Sequence, residues 1–428
     1  MEDEFSNLSI NEQPLFLTKE AFLKHFKPSK FVSKEQLPKV MTITYSPCVT
    51  LEQAFELEPT NDRKKCIIKS ENDFRYKNKE KIIDYYYNVL VSHRETYLGY
   101  FYESYFKFKH PSSLCWDKEI KNEDDSISTQ KNDKSKTLIR NIFYLHLLDQ
   151  TTVTNSIKSK VSFWKSLTNL FNNYILEDRF FAPSCVELCL KTKKTALPNE
   201  VNYNNLFYLF QQYQPKASIL NPYSIHYILT KELTLKENFK FFTPVLSWGS
   251  YLVAAMETSC SHYVGVDVMP SVCSKVRQLS EWYKSSKKVD ILLTPSEDLL
   301  ENKRFLKSYK EYFDVIMVCP PYWTMELYNE GLQSTERYKT YEEWIDKYWD
   351  ATLQVCKCVL RKNGYFLYIA NDYSDLQKHN YSLTTDFESI AKKYFLHVKE
   401  ISLCNRVSPL RINKKQRTEK LYIFKNNF

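Results

Sequence analysis

From residue 221 onward, short apolar runs of strand length alternate with segments whose apolar residues fall at helical spacing. That alternation marks a doubly wound parallel sheet with helices on both faces. Strands are expected at 239–246, 263–267, 289–293, 314–318 and 365–370, with a closing hairpin at 398–403 and 421–424. Pro270 opens a helix to Tyr283, and Tyr341 opens a long amphipathic one through Trp344, Trp349 and Val359. Asn363 and Gly364 are expected to end that second helix as a C-terminal cap. The run Val315, Ile316, Met317, Val318 is apolar on both faces, which suits a strand buried between two helical layers. Pro320 and Pro321 stop it, because neither has an N–H to give to a ladder.

The first 220 residues carry a different rhythm. Helical spacing is visible at Leu138, Ile139, Ile142, Phe143, Leu145 and Leu148, again around Phe163, Trp164, Leu167 and Leu170, and in 81–90. Residues 117–136 are polar and charged, with almost no large apolar side chain, and are expected to form a flexible segment. Arg75, Lys77, Lys81 and Arg94 interleave with Tyr76, Tyr85 and Tyr86. Such interleaving could form a stacking, phosphate-binding surface, but the plainer reading is a helical face with snorkelling lysines. The chain thus divides into a mainly helical accessory region, 1–220, open to a protein partner, and an α/β region, 221–428.

In open parallel sheets the chemistry gathers at the carboxyl ends of the strands. After the first strand comes Ser247-Trp248-Gly249-Ser250, a tight turn into a helix, where glycine suggests close approach of a ligand to the backbone. The second strand ends at Asp267, about twenty residues on, the spacing at which a carboxylate meets ribose hydroxyls in nucleotide-binding sheets. Thr294-Pro-Ser-Glu297-Asp298 follows the third, and Cys319-Pro320-Pro321-Tyr322-Trp323 the fourth. The polar, aromatic loop beyond it, with Tyr328, Gln333, Ser334, Arg337 and Tyr338, is either a lid over that edge or a solvated connection.

Composition adds bounds. The chain has 428 residues, enough for two or three domains, and a net charge of +9, compatible with nucleic acid as partner. Arg406, Arg411, Lys414, Lys415 and Arg417 cluster near the carboxyl terminus as a candidate phosphate-gripping loop. Eleven cysteines are scattered, and the close pairs Cys185/Cys189 and Cys356/Cys358 lack further ligands at zinc-site spacing, so no metal is expected. No apolar run approaches membrane-spanning length and the acidic start is unlike a signal peptide, so an intracellular, cytoplasmic or nuclear protein is expected.

Three stretches together resemble the S-adenosylmethionine-dependent amino-methyltransferases. Cys319-Pro-Pro-Tyr322 looks like their Asp/Asn/Ser-Pro-Pro-Tyr/Phe/Trp motif, Thr243-Pro-Val-Leu-Ser-Trp-Gly-Ser250 like their cofactor loop, and Val264-Gly-Val-Asp267 like their second motif. The resemblance covers about 221–425 and implies a class I Rossmann-like methyltransferase sheet with S-adenosylmethionine as cofactor. It also implies methylation of an exocyclic amine, adenine N6 or cytosine N4, with adenine in DNA first and RNA second. Carried over, Cys319 and the Pro320 carbonyl accept hydrogen bonds from the target amine, Pro321 stiffens the corner, and Tyr322 stacks on the base, with Trp323 beside it. Thr243, Ser247, Trp248, Gly249, Asp267, Val268, Glu297 and Asp298 would hold the cofactor. The departures are Thr243 where an acid is usual, Ser247 where glycine is usual, and Cys319, a weak acceptor.

Two other readings follow from those departures. One is a methyltransferase fold that has lost catalysis and serves as a nucleic-acid-binding or scaffold subunit. The other takes Cys319 as a nucleophile for C5 methylation of a pyrimidine. C5 enzymes, however, place the cysteine after the proline rather than before two.

Overall fold

The computed structural model describes residues 15, 16, 18, 115–129, 134–143, 219–323, 328, 330–374, 379–404 and 418–427. The readings at 81–90, 163–170 and Arg406 to Arg417 lie outside the described residues, as do most of residues 1–114.

In chain order, the strands are β1 (Ile127–Ser128), β2 (Lys240–Thr243), β3 (His262–Asp267), β4 (Lys288–Leu293), β5 (Phe313–Val318), β6 (Leu360–Ala370), β7 (Tyr373–Ser374), β8 (Asn380–Tyr381), β9 (Leu396–Cys404) and β10 (Thr418–Lys425). The helices are α1 (Lys134–Ile142), α2 (Pro222–Tyr227), α3 (Ser250–Met256), α4 (Pro270–Trp282), α5 (Lys303–Ser308), α6 (Ser334–Arg337), α7 (Tyr341–Trp344), α8 (Ala351–Val359) and α9 (Leu383–Tyr394). A π-helical turn, Ile345–Asp350, joins α7 to α8.

The sheet runs β1-β9-β10-β6-β5-β2-β3-β4. Strands β2 to β6 are mutually parallel, and β10 is antiparallel to both β6 and β9. Five parallel strands closed by an antiparallel hairpin make a Rossmann-like methyltransferase sheet. From β2 the chain winds outward to β3 and β4, then returns to place β5 on the other side of β2. That reversal puts the ligand crevice of an open sheet at the carboxyl ends of β2 and β5.

Period-two alternation explains the two covered faces. Phe241, Tyr263, Val315, Met317, Leu367 and Ile369 face α1 to α4. Phe242, Val264, Ile316, Val318, Phe366 and Tyr368 face the layer of α7, α8 and α9. Every residue of β5 is buried, as its two-sided apolar run requires. Each such large side chain contributes about 1.5–3 kcal/mol on burial. The one acid in β5, Asp314, is clamped by Arg361 Nη1 at 2.7 Å and by the Lys240 N–H at 2.7 Å.

Two expectations are corrected. In the segment expected to be flexible near 117–136, the described residues 117–129 and 134–136 hold defined places: Ile120 and Ile127 are fully buried, and β1 pairs in parallel with β9, Ile127 opposite Leu403. Asn221 fastens this segment down, taking a hydrogen bond from Ser135 Oγ at 2.7 Å and giving one to the Thr129 carbonyl at 3.0 Å. The helix expected to end at Asn363 and Gly364 instead ends at Val359, and both residues lie inside β6. Their local character survives in a different element, because Asn363 has φ 61° within an irregular stretch of the β5–β6 pairing. Among the described residues no helix is long and apolar enough to cross a membrane.

Candidate functional site

The carboxyl ends of β2 to β6 open into one cavity of about 760 Å3, a volume typical of small-molecule sites. Its first end is built by the loops after β2, β3 and β4, which contribute Ser247, Trp248, Asp267, Val268, Ser296 and Glu297. Its second end is built after β5 and β6, by Cys319, Pro321, Tyr322, Asn371, Asp372 and Tyr373. The N-terminal segment closes the far wall with Thr129 and Lys136.

After β2 the backbone turns through three left-handed residues, Ser247 (φ 46°), Trp248 (φ 58°) and Gly249 (φ 80°). Two of the three carry a Cβ, so the turn stores strain of the kind that functional turns keep. Trp248 is pinned edge-on by Phe143 (5.4 Å) and Tyr328 (5.8 Å).

Asp267 joins two of these loops. One carboxylate oxygen accepts from the Leu246 N–H at 3.2 Å and the other from the Met269 N–H at 3.0 Å. Asp267 also lines the cavity. Burial pushes its carboxyl up to about 6, although the backbone N–H groups of Met269, Leu246 and Val268 pull the other way. Burial also raises the Glu297 carboxyl, and the Arg337 guanidinium, 2.7 Å away, offsets this only in part.

Tyr328, Leu332, Gln333 and Ser334, which follow Tyr322 in the chain, also line the cavity. Arg337 grips Glu297 and, through Nη2 at 2.6 Å, Asp298. Tyr338 gives its hydroxyl to Glu297 at 3.1 Å, and Glu330 takes the Ser271 N–H at 2.6 Å, where α4 begins. Gly331 (φ 75°) passes so close to β3's loop that a Cβ there would lie 1.8 Å from the Val268 carbonyl oxygen.

Of the residues singled out from sequence, Ser247, Trp248, Asp267, Val268, Glu297, Cys319, Pro321 and Tyr322 meet in this cavity. Five others do not line it, and each has a structural reason. Thr243 is fully buried at the end of β2, hydroxyl to hydroxyl with Tyr263 at 2.7 Å. Gly249 packs under α4, where a Cβ would sit 3.2 Å from Val276 Cγ2, so helix packing and the left-handed turn, not a ligand, call for glycine. Asp298 turns outward to Arg337. Pro320 is buried beneath the corner. Trp323 packs on Trp344 with ring centroids 6.0 Å apart.

Sequence reasoning missed Asn371, Asp372 and Tyr373, although the strand-end rule that found Asp267 applies equally to the end of β6. It also missed Tyr348, Lys136 and the grip of Arg337 on Glu297, which join residues distant in sequence.

Charged side chains on the cavity wall are Asp267, Glu297, Asp372 and Glu419 against Lys136. An acidic lining favours a cationic ligand. A sulfonium bearing an amino acid and a nucleoside carries a net positive charge at neutral pH and offers ribose hydroxyls to Asp267, so the residues present fit that group.

No protein-family model and no curated protein matches the chain. Among solved structures it is similar to the N-methyltransferase NodS from Bradyrhizobium japonicum WM9, at 12% identity over 44% of this chain and 79% of that one, TM-score 0.29. It is similar also to a putative class I S-adenosylmethionine-dependent methyltransferase from Listeria monocytogenes, at 12% identity over 69% and 85%, TM-score 0.34. A third similarity is to TrmN from Thermus thermophilus, at 10% identity over 48% and 49%, TM-score 0.33. At these TM-scores the likeness carries no conclusion by itself. The strand order and closing hairpin are what give this chain a Rossmann-like methyltransferase fold.

Proposed function

We propose that the protein transfers a methyl group from S-adenosylmethionine to an exocyclic amine of a nucleobase, adenine N6 in DNA before any other. The observation that carries this reading is the shared cavity: the Asp267 corner and the Cys319-Pro-Pro-Tyr322 corner open into one space. Asp267 takes the ribose hydroxyls, Glu297 lies at the adenine end, and the strained Ser247–Trp248 turn lies beside the amino-acid end. The chemistry supplied by S-adenosylmethionine when bound is an electrophilic methyl carried on a sulfonium.

The chain's own work is to orient and to exclude water. Tyr322 offers a ring face to a flipped base, and the Pro-Pro corner holds it still. An amine that uses its own lone pair needs no side-chain base, since its proton can leave after transfer. The basic residues Arg406 to Arg417 are the proposed contact to the nucleic-acid backbone.

Incubation with labelled methyl donor and mixed DNA and RNA, followed by nucleoside mass spectrometry, tests the proposal. Methylated deoxyadenosine is the expected product. A chain that takes up no S-adenosylmethionine in calorimetry and labels no nucleoside would instead be a binding or scaffold subunit.

The nucleophile reading keeps one point in its favour, since Cys319 lines the cavity. Replacing Cys319 by serine separates the two. A C5 nucleophile would be lost with the thiol, whereas an acceptor for an amine is supplied at least as well by a hydroxyl. Turnover of Cys319→Ser within about threefold of the parent, or above it, is expected, because a single neutral hydrogen bond differs by well under 1.5 kcal/mol.

A further inference from the structure

Arg337 joins two acids that follow β4. Its Nη1 lies 2.7 Å from Glu297 Oε1 and its Nη2 lies 2.6 Å from Asp298 Oδ1. The two ends of that fork are unequal. The Glu297 side chain is 5% exposed and that of Asp298 is 44% exposed. An ion pair open to water contributes little, whereas an acid left alone in a buried place is costly. Tyr338 adds its hydroxyl to the same Glu297 oxygen at 3.1 Å. Of the two acids, Glu297 lines the cavity and Asp298 does not.

The segment that carries Arg337 is itself held. Ser334, the first residue of α6, accepts the Nε1–H of the fully buried Trp344 at 3.0 Å. Glu330 takes the Ser271 N–H, and Gly331 lies against the Val268 carbonyl. A planar fork carried on a fixed segment sets the place of the acid it grips. We infer that Arg337 is a positioning residue for S-adenosylmethionine: by pairing with Glu297 it makes that carboxylate, and not Asp298, the anionic acceptor at the adenine end.

This rests on the reading above that puts the cofactor's adenine by Glu297. The titratable groups around Glu297 are Arg337 and Tyr338 from the α6 segment, Asp298 beside it in the chain and the Tyr348 phenol from the π-helical turn. Burial raises the Glu297 carboxyl, and the Arg337 charge opposes this. Without Arg337 the carboxyl rises further, so less of it is ionised at a given pH. The loss is therefore felt most at low pH and disappears once the pH is high enough to ionise Glu297 unaided.

Arg337→Gln keeps a polar side chain and removes the charge. Calorimetric affinity for S-adenosylhomocysteine, the product left by methyl transfer, is measured on the full chain from about pH 6 to about pH 9, with thermal unfolding alongside. The parent should bind about tenfold more tightly than Arg337→Gln near the low end, the effect of a rise of about one unit in the carboxyl, and within about twofold near the high end. Arg337→Lys keeps the charge without the fork and should lose about threefold or less at low pH. In Glu297→Gln, which has no charge to hold, adding Arg337→Gln should change affinity by a factor that does not vary with pH.

Equal affinities of the parent and Arg337→Gln at every pH overturn the inference. So does a loss of the same size at both ends of the range, which marks packing of the α6 segment alone, or a pH-dependent loss that persists in Glu297→Gln. Should Arg337→Gln not fold, Arg337→Lys takes its place, and its loss at low pH must vanish at high pH. If the parent binds no S-adenosylhomocysteine, the cofactor reading fails, and this inference with it. If the parent binds and the Arg337 variants show no pH-dependent loss, only the inference fails.

Discussion

Asp267→Ala should weaken S-adenosylmethionine binding about a hundredfold. The carboxylate accepts from the Leu246 and Met269 N–H groups, and on the proposed reading its remaining lone pairs take the ribose hydroxyls. Two hydrogen bonds to a charged acceptor, at about 1.5 kcal/mol each, come to about 3 kcal/mol, or roughly two orders of magnitude in Kd. Titration calorimetry reads this directly. The affinity should also depend on pH in a direction set by burial. With the carboxyl pushed up to about 6, Asp267 is ionised above that pH, and affinity should level off there. Below it affinity should fall, approaching tenfold per pH unit as the carboxylate is lost, and Asp267→Asn should flatten the slope. The effect on the free protein has the opposite sign. A carboxyl whose value in the fold lies above the ordinary 3.8 costs stability when ionised, on the order of 3 kcal/mol. That cost is relieved as pH falls from 7 through 6 toward 4. Affinity and this residue's share of stability should therefore move apart over the same pH range. A parallel fall of both in the parent, unchanged in Asp267→Asn, would remove Asp267 from the cofactor site.

The parallel strands were legible because each is a short apolar run bounded by turn-formers, and β5 was clearest because both its faces are apolar. Asp267 and the Pro-Pro-Tyr corner were legible because position at a strand's carboxyl end is a local property of the sequence. What failed was non-local. Residues 117–129 are polar on average, yet Ile120 and Ile127 are fully buried because the edge of β9 offers unpaired backbone for Ile127 to pair with. An average over composition hides two such side chains. Gly249 was read as a tight turn into a helix and is one, with φ 80°, but a packed helix rather than a ligand lies over it. Asn363 and Gly364 were read as a helix cap, and a strand runs through them instead, with Asn363 at φ 61°.

Tyr322→Ala should lower kcat/KM for nucleic acid by about a hundredfold while leaving S-adenosylmethionine affinity within twofold. The ring is 8% exposed and stacked on Tyr373 at 5.2 Å and 28°. Tyr373 in turn donates its hydroxyl to the Trp323 carbonyl and stacks on Tyr381 at 5.0 Å. One face of Tyr322 is thereby occupied and its orientation fixed, and on the proposed reading a base stacks where the residue lines the cavity. Stacking on an aromatic side chain is worth about 1–3 kcal/mol by alanine substitution, and the upper part of that range applies to a site shielded from water. Tyr322→Phe and Tyr322→Trp keep a flat face and should stay within about threefold, because the stack uses the ring and not the hydroxyl. Tyr373→Leu leaves Tyr322 in place but loosens it, and an intermediate loss is expected. The alternative is that Tyr322 only fills space between the two helical layers. In that case alanine would lower the melting temperature and weaken cofactor binding together, and phenylalanine would rescue both without regard to substrate. Separate measurements of kcat/KM, cofactor affinity and thermal unfolding on these variants decide between a surface that holds a base and one that only packs the fold.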